Sequence, residues 1–242
     1  MRPIDAVAMV LKENGRALLP FLGSCFAYRS PIHFLTAAHV VRECQREAIV
    51  FIPGNGLMCP VQSLEFHPTA DIAMMLVQPH PMNFVEPFVG VGADCGLGDD
   101  YFAYGFPEVS RPTGAPRPTP RMFRGYFQRF MKHSSHMGYS YAAGEISTPC
   151  PAGLSGGPLF RMVADEFAIG LATENIEAAT ELHAEENILE DGKPVRDVIT
   201  KRVVNYGVAL MLRSVEEWIN NLIPPQAGSQ RFYDDLADDP AP

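Results

Sequence analysis

The sequence predicts an all-β fold built from many short strands. Short apolar or alternating runs recur along the 242 residues, separated by turns that draw on 20 glycines and 22 prolines. Strands of this length with frequent Gly and Pro turns are typical of a β-barrel or a β-sandwich. Hydrophobic residues make up 47% of the chain, enough for a sizeable core. No run approaches the roughly 20 apolar residues of a membrane-spanning helix, so we expect no membrane partner.

The first half of the chain predicts six strands and one helical turn. Alternating or apolar runs supply the strands, and turns at residues 13–15, 29–31 and 53–56 separate several of them. A single helical turn over residues 37–43 follows the third strand. The predicted strands are residues 6–11, 23–28, 32–36, 48–52, 60–66 and 72–77.

The second half predicts further strands and a terminal helix. A Pro-rich stretch at 108–121 is expected to be an extended surface loop, because proline fixes φ. Residues 174–202 read as an irregular insertion with mixed helical character. Ser214 with a Glu three residues later predicts a capped helix ending before Pro224. The predicted strands are residues 101–107, 123–131, 139–146, 167–173 and 208–212.

Charge argues against a nucleic-acid partner. The chain carries 19 basic and 28 acidic residues, a net charge of −9, whereas phosphate binding needs a basic surface. Acidic residues concentrate at 174–191 and basic ones at 111–132, and we interpret both as solvated surface. The tail at 226–242, with four aspartates, is expected to be disordered.

Cysteine usage and the first residues suggest a reducing compartment. Five cysteines form an odd set without paired spacing, as expected for reduced, structural thiols. The start, Met1 to Asp5, lacks the long apolar region of a secretory signal. We therefore expect a cytoplasmic protein.

The most informative stretch is a serine surrounded by glycines. Ser155 lies in Pro151-Ala-Gly-Leu-Ser-Gly-Gly-Pro-Leu-Phe160, where backbone can approach a ligand closely because side chains are absent. An exposed hydroxyl with the N–H groups of Gly153 and Ser155 suits acyl transfer. Gly-x-Ser-x-Gly also occurs in α/β-hydrolases, but Pro158 interrupts the helix that their elbow requires.

Two upstream stretches complete the pattern. His39 follows the apolar run Phe34-Leu-Thr-Ala-Ala38, and Asp71 precedes the apolar run Ile72-Ala-Met-Met-Leu-Val77. With Ser155, the three motifs resemble those of the trypsin-like (chymotrypsin-fold) serine proteases in sequence and order, over about residues 23–223. That resemblance implies two six-stranded antiparallel β-barrels with the active site between them and a C-terminal α-helix. The corresponding domains are residues 1–98 and 99–225.

The resemblance also implies roles for the site residues. Ser155 is the nucleophile, His39 the general base, Asp71 its orienting acid, and Gly153 and Ser155 form the oxyanion hole. The specificity pocket is expected to be lined by Pro149, Cys150, Thr173 and Asn175, with no charge at its base. Secreted relatives have an acid before the serine that pairs with a new N-terminus, whereas this chain has Leu154.

The function implied is a serine endopeptidase acting on protein or peptide substrates, without a cofactor. The alternative is a catalytically inactive relative that serves as a peptide-binding or scaffolding module. A third possibility is a protease dedicated to one partner protein. We expect no metal site, because His133 and His136 have no carboxylate or cysteine at metal-ligand spacing. His67 is interpreted as a surface or packing residue.

Overall fold

The computed structural model describes most of the chain. Within the described stretches the protein is mainly β-strand, with two α-helices. No helix in these stretches is long and apolar enough to cross a bilayer. The described residues are 3–13, 20–44, 47–54, 56–80, 85–107, 119–162, 164–182, 188–190, 193–196 and 200–224.

The first six strands close into an antiparallel barrel. Their spatial order is β1-β2-β3-β6-β5-β4, and β1 pairs with both β2 and β4. Closure leaves no unpaired sheet edge. The strands are β1 (Val7–Lys12), β2 (Phe21–Ala27), β3 (His33–Thr36), β4 (Ala48–Ile52), β5 (Leu57–Phe66) and β6 (Ala73–Val77).

Large apolar side chains fill this barrel. Phe26, Phe34, Val50 and Met75, from four different strands, are fully buried. Each such side chain contributes about 1.5–3 kcal/mol through removal of apolar surface from water. The barrel is therefore a rigid support for the short helix α1 (Ala38–Val41) and for the loop that follows β5.

Seven of the remaining strands form a second sheet in the order β11-β8-β9-β10-β15-β12-β7, and β11 also pairs with β12. A separate hairpin joins β13 to β14. The strands are β7 (Gly90–Val91), β8 (Asp100–Gly105), β9 (Arg121–Ser134), β10 (Ser140–Ile146), β11 (Pro158–Arg161), β12 (Ala164–Leu182), β13 (Ile188–Glu190), β14 (Lys193–Arg196) and β15 (Thr200–Met211). The prediction of a mainly β fold is confirmed.

The acidic insertion is a β-ribbon where the structure describes it, so the expectation of mixed helical character was wrong. Strands β12 and β15 stay paired from Gly170 opposite Met211 to Leu182 opposite Thr200. The physical reason is that a two-stranded ribbon can expose both faces to water. A polar, charged composition is therefore compatible with strands as well as with an irregular loop.

The predicted C-terminal helix is present, but it starts later than its sequence signal indicated. A 3₁₀ turn over Leu212–Val215 precedes α2 (Glu216–Leu222), and no side chain caps α2. The Ser214 hydroxyl instead donates to the Met211 carbonyl. Arg29, on the first barrel, donates to the Ile223 carbonyl at 2.7 Å, so α2 packs back against the first half of the chain.

The two halves of the chain also meet through backbone pairing. Strand β7 precedes the predicted boundary at residue 98, yet it pairs in parallel with β12 of the second sheet. Tyr28 forms a bridge with Phe88 near the same region. The domain boundary itself stays a prediction.

Candidate active site

His39 lies on α1, directly after the barrel strand β3. Its neighbours Ala38, Val40 and Val41 are buried, which turns the imidazole toward the open side of the helix. The His39 side chain remains 23% exposed. This placement keeps one ring nitrogen reachable while apolar contacts hold the backbone in place.

Asp71 holds His39 through two hydrogen bonds. The Asp71 Oδ2 atom accepts from His39 Nδ1 at 2.7 Å, and Oδ1 accepts from the His39 backbone N–H at 3.0 Å. Asp71 is only 3% exposed. Because Nδ1 carries the donated hydrogen, Nε2 of the neutral imidazole has a free lone pair and can accept a proton.

His67 organises the loop that carries Asp71, a role that sequence reasoning missed. Its Nδ1 atom accepts from the backbone N–H groups of Thr69 at 3.2 Å and Ala70 at 2.9 Å. The ring also packs edge-on against Trp218 of α2. Burial lowers the pKa of His67, consistent with a neutral acceptor. The sequence did carry a signal for this role: His67 is a side chain that can accept hydrogen bonds, and it stands two and three residues before the backbone N–H groups of a turn.

Ser155 lies in the glycine-rich loop between β10 and β11. Gly156 has a positive φ of 85°, and a Cβ there would come within 2.1 Å of the Ser24 carbonyl oxygen and 3.0 Å of the Ala37 nitrogen. Only glycine tolerates this conformation and this close approach. The loop therefore packs against the first barrel two residues before His39.

The Ser155 hydroxyl donates to the carbonyl of Thr173 at 2.8 Å. Within the described residues, no hydrogen bond joins Ser155 to His39. The sequence-predicted pair His39 and Asp71 is thus in direct contact, while Ser155 points to the neighbouring strand β12.

The backbone N–H groups on either side of Leu154 differ in their hydrogen bonding from those of Leu154 and Gly156. Leu154 N–H donates to Pro151 O at 3.0 Å, and Gly156 N–H donates to Ala172 O at 2.8 Å. In the part of the chain that the structure describes, the N–H groups of Gly153 and Ser155 donate to no protein acceptor. These are the two donors that the sequence assigned to an oxyanion hole.

Leu154 is 1% exposed and packs into the apolar core of the second sheet. A Cβ on Gly105 would lie 2.8 Å from a Leu154 methyl carbon, so β8 passes close beside this side chain. Apolar packing therefore fixes the residue that precedes Ser155, where secreted relatives have an acid.

The residues predicted to line the specificity pocket differ in their solvent exposure. Cys150 is 5% exposed, and burial raises the pKa of its thiol to about 12. Thr173 turns its hydroxyl inward, donating to Val208 O at 2.9 Å and accepting from Tyr141. Pro149 and Asn175 are exposed. Cys150 is thus a protonated structural thiol, and the hydroxyl of Thr173 faces the core.

A β-bulge at Thr173 explains why the Thr173 hydroxyl faces the core while its carbonyl faces Ser155. Ala172 lies opposite Ala209 and Glu174 opposite Val208, so Thr173 is the extra residue of β12. Bulges bend a strand and redirect its side chains, and they are frequent beside active sites. The bulge lets one residue bond the core through its hydroxyl and Ser155 through its carbonyl.

Glu174 makes contacts that the sequence did not indicate. Its carboxylate contacts His133 Nε2 at 2.5 Å and His136 Nδ1 at 3.2 Å. The sequence shows no carboxylate at metal-ligand spacing from these histidines, because Glu174 lies 41 and 38 positions away along the chain. Among the described residues, no group of three or more His, Cys, Asp and Glu side chains could hold a metal ion.

A barrel with a His–Asp pair at its rim, beside a glycine-rich serine loop from a second sheet, is characteristic of chymotrypsin-like proteases. The chain belongs to the trypsin-like peptidase domain family, whose model matches residues 23–171. All five cysteines are free. No curated protein matches the sequence significantly.

Solved structures share this fold at low sequence identity. The active form of the Rv3671c protease from M. tuberculosis is 16% identical with a TM-score of 0.62, covering 93% of this chain and 83% of that one. The HtrA-type protease AlgW with a tripeptide is 18% identical with a TM-score of 0.59, covering 92% of this chain and 62% of that one. At such identity the likeness establishes the fold alone.

Proposed function

We propose that the protein is a serine endopeptidase that hydrolyses peptide bonds of protein substrates through an acyl-enzyme. The contact between His39 and Asp71 carries the proposal, because it fixes the imidazole tautomer that a general base requires. The fold supports it as well. We interpret the second sheet, in which β11 pairs with both β8 and β12, as the second six-stranded barrel.

In the proposed mechanism Ser155 Oγ attacks the scissile carbonyl carbon while His39 Nε2 takes the hydroxyl proton. The carbonyl π electrons move to oxygen, which the N–H groups of Gly153 and Ser155 stabilise. The C–N bond then breaks as His39 returns the proton to the leaving amine. Water, activated in turn by His39, releases the acid product and restores Ser155.

The Ser155 hydroxyl must leave Thr173 before it can attack. Its present hydrogen bond to the Thr173 carbonyl is a single contact of 2.8 Å. Rotation about one side-chain torsion breaks that contact. The observed orientation is therefore compatible with a resting state of the enzyme.

The same orientation favours one competing function. If the Ser155 hydroxyl stayed on Thr173, the protein would bind peptides between the barrel and the second sheet without cleaving them. The fold would then serve as a peptide-binding or scaffolding module, possible because function depends on the site rather than on the fold.

A fluorophosphonate probe separates these functions. Ser155 Oγ attacks phosphorus, the P–O bond forms, fluoride leaves, and His39 accepts the hydroxyl proton. We expect covalent labelling of the wild-type chain and none of Ser155→Ala or His39→Ala. Absence of labelling in correctly folded wild-type protein would instead support the binding module. If the wild-type chain is labelled, mapping of new protein N-termini after its expression would identify substrates, with Ser155→Ala as the matched control.

A further inference from the structure

Ser24 joins the first barrel to the serine loop. It lies on β2 and is fully buried. Its hydroxyl donates to the Gly153 carbonyl at 2.8 Å and accepts from Phe106 N–H at 2.9 Å. Its backbone N–H donates to the Ser155 carbonyl at 2.9 Å. One residue of the first barrel therefore holds the carbonyls on both sides of Leu154.

These bonds orient whole peptide groups, because each peptide unit is planar. The peptide unit between Gly153 and Leu154 is hydrogen-bonded at both ends. Its carbonyl oxygen accepts from the Ser24 hydroxyl, and its N–H donates to the Pro151 carbonyl. In the next peptide unit, the Leu154 carbonyl oxygen accepts from Gly157 N–H at 2.8 Å. Because the carbonyl and the N–H of a trans peptide point in opposite directions, the Ser155 N–H points away from Gly157. Bonded carbonyls thus leave the Ser155 donor free.

Gly153 is the flexible point of this loop. Its φ is 88°, in the region that glycine adopts readily, and glycine restricts backbone rotation less than any other residue. Among the described residues, the Ser24 hydroxyl is the donor that reaches the Gly153 carbonyl. Without that bond the peptide after Gly153 could rotate, and its carbonyl could turn toward the substrate oxygen.

We propose that Ser24 is a positioning residue of the oxyanion hole. Its hydroxyl holds the Gly153 carbonyl away from the substrate, so that the N–H groups of Gly153 and Ser155 stay free for the developing oxyanion. This inference rests on the proposed protease function. Ser24 touches no substrate atom in this scheme and acts through the backbone of Gly153.

The test compares Ser24→Ala with Ser30→Ala in the full-length chain. Ser30 lies in the turn at the far end of the same hairpin, where its hydroxyl accepts from Ile32 N–H at 3.2 Å. Both variants lose one serine hydroxyl from the first barrel, but only the first loses a contact with the serine loop. The melting temperature of each variant reports the purely structural effect.

The first readout is the rate of fluorophosphonate labelling at a temperature where both variants are folded. Removing a direct oxyanion donor lowers kcat about 10²–10³-fold. Ser24 acts on the oxyanion donors only through the Gly153 carbonyl, so we expect Ser24→Ala to lower the labelling rate about 10- to 100-fold. Ser30→Ala should label at the wild-type rate. Ser24→Cys, which keeps a weak donor, should fall between the wild type and Ser24→Ala.

The second readout separates positioning from general damage. Ser155 Oγ adds to the boron of a peptide boronic acid while His39 accepts the hydroxyl proton, and the resulting tetrahedral boronate anion places one of its hydroxyl oxygens in the oxyanion hole. The matching peptide amide binds without forming a covalent bond. Ser24→Ala should weaken the boronate by the same factor as labelling and leave the amide unchanged. Equal losses for both ligands, or wild-type labelling of Ser24→Ala, would overturn the inference alone. Failure of the folded wild type to label would overturn the proposed function and this inference with it.

Discussion

The Asn175 side chain bridges two segments of the predicted specificity pocket. Its Oδ1 atom accepts from the backbone N–H of Cys150 at 2.6 Å, and its Nδ2 atom donates to the Cys150 carbonyl at 2.8 Å. The two bonds join strand β12 to the loop that follows β10. An amide bonded at both of its polar ends is fixed in place, and we expect it to narrow the predicted pocket between these two segments.

A narrowed pocket predicts cleavage after small uncharged residues. We expect wild-type kcat/KM to be highest with a small residue such as alanine before the cut. Arg or Lys should be rejected, because burying an unpaired charge is costly. Asn175→Gly should raise kcat/KM for leucine or phenylalanine about tenfold, in line with the 10- to 200-fold effect of one methylene in an apolar pocket. A peptide library varied at this position measures both effects.

Fluorophosphonate labelling is the control for that experiment, because the probe does not enter the pocket with a side chain. It should be equal in wild type and Asn175→Gly. A wild-type preference for Arg or Lys would show that the pocket lies elsewhere or that an acid reaches its base.

The His39–Asp71 contact predicts a graded set of losses in hydrolysis. Ser155→Ala and His39→Ala should each remove nearly all activity, since such residues act as a unit. Asp71→Asn should lower kcat about 10⁴-fold, because the amide favours the wrong imidazole tautomer. Circular dichroism should show the fold intact. His80→Ala, which removes an exposed histidine, serves as the control. Turnover of Ser155→Ala at the wild-type rate would contradict the protease proposal.

His67 predicts a loss of stability in acid. Burial holds its pKa below the ordinary value of 6.5, so the neutral form stabilises the fold above that pH. As pH falls through the lowered pKa, protonation of Nδ1 removes the acceptor for Thr69 and Ala70. The melting temperature should therefore fall as the pH drops below about 6.5, where the histidine of the unfolded chain takes up a proton, and should level off below the lowered pKa of the folded state.

His67→Asn is the informative variant, because an amide oxygen can replace Nδ1 as acceptor without titrating. It should melt with a weaker pH dependence than the wild type. Burial also lowers the pKa of His33, so His33→Asn is tested beside it. If His67→Asn kept the full wild-type pH dependence, His67 would not be the titrating group.

Leu154 predicts that activity does not require a free N-terminus. A buried leucine cannot pair with an amine, and its apolar contacts already fix the serine loop. The full-length chain with an acetylated N-terminus should react with the fluorophosphonate as fast as the unblocked chain. Labelling that appeared only after proteolytic removal of the first residues would contradict this expectation.

Local motifs predicted much of the fold, and they located the pair that the structure brings together. The strand runs around His39 and Asp71 carried clear apolar patterns, and the barrel follows from them. The resemblance to trypsin-like proteases implied two barrels, and the structure shows one closed barrel and a second sheet. The assignment of catalytic, oxyanion and pocket roles stays a prediction, as do the substrate, the partner and the cytoplasmic location.

What the sequence could not show depends on contacts between distant residues. Ser24 and Gly153 are 129 positions apart, and Glu174 meets His133 across 41 positions. Neither pair leaves a periodic or spacing signal. The ribbon of β12 and β15 was missed for a related reason, since strands of polar and charged composition lack the apolar–polar alternation that marks a half-buried strand.

The contacts of Ser155 also determine when the site can appear during synthesis. Its loop is held by Ser24 from the first barrel and by Ala172 and Thr173, which leave the ribosome later. Strand β12 is paired in turn with β15. Pairings between distant segments form slowly, because the intervening chain must first be ordered. The serine loop can therefore be fixed only after β12 and β15 have been synthesised, whereas His39 and Asp71 both belong to the segment of the first barrel that precedes these strands.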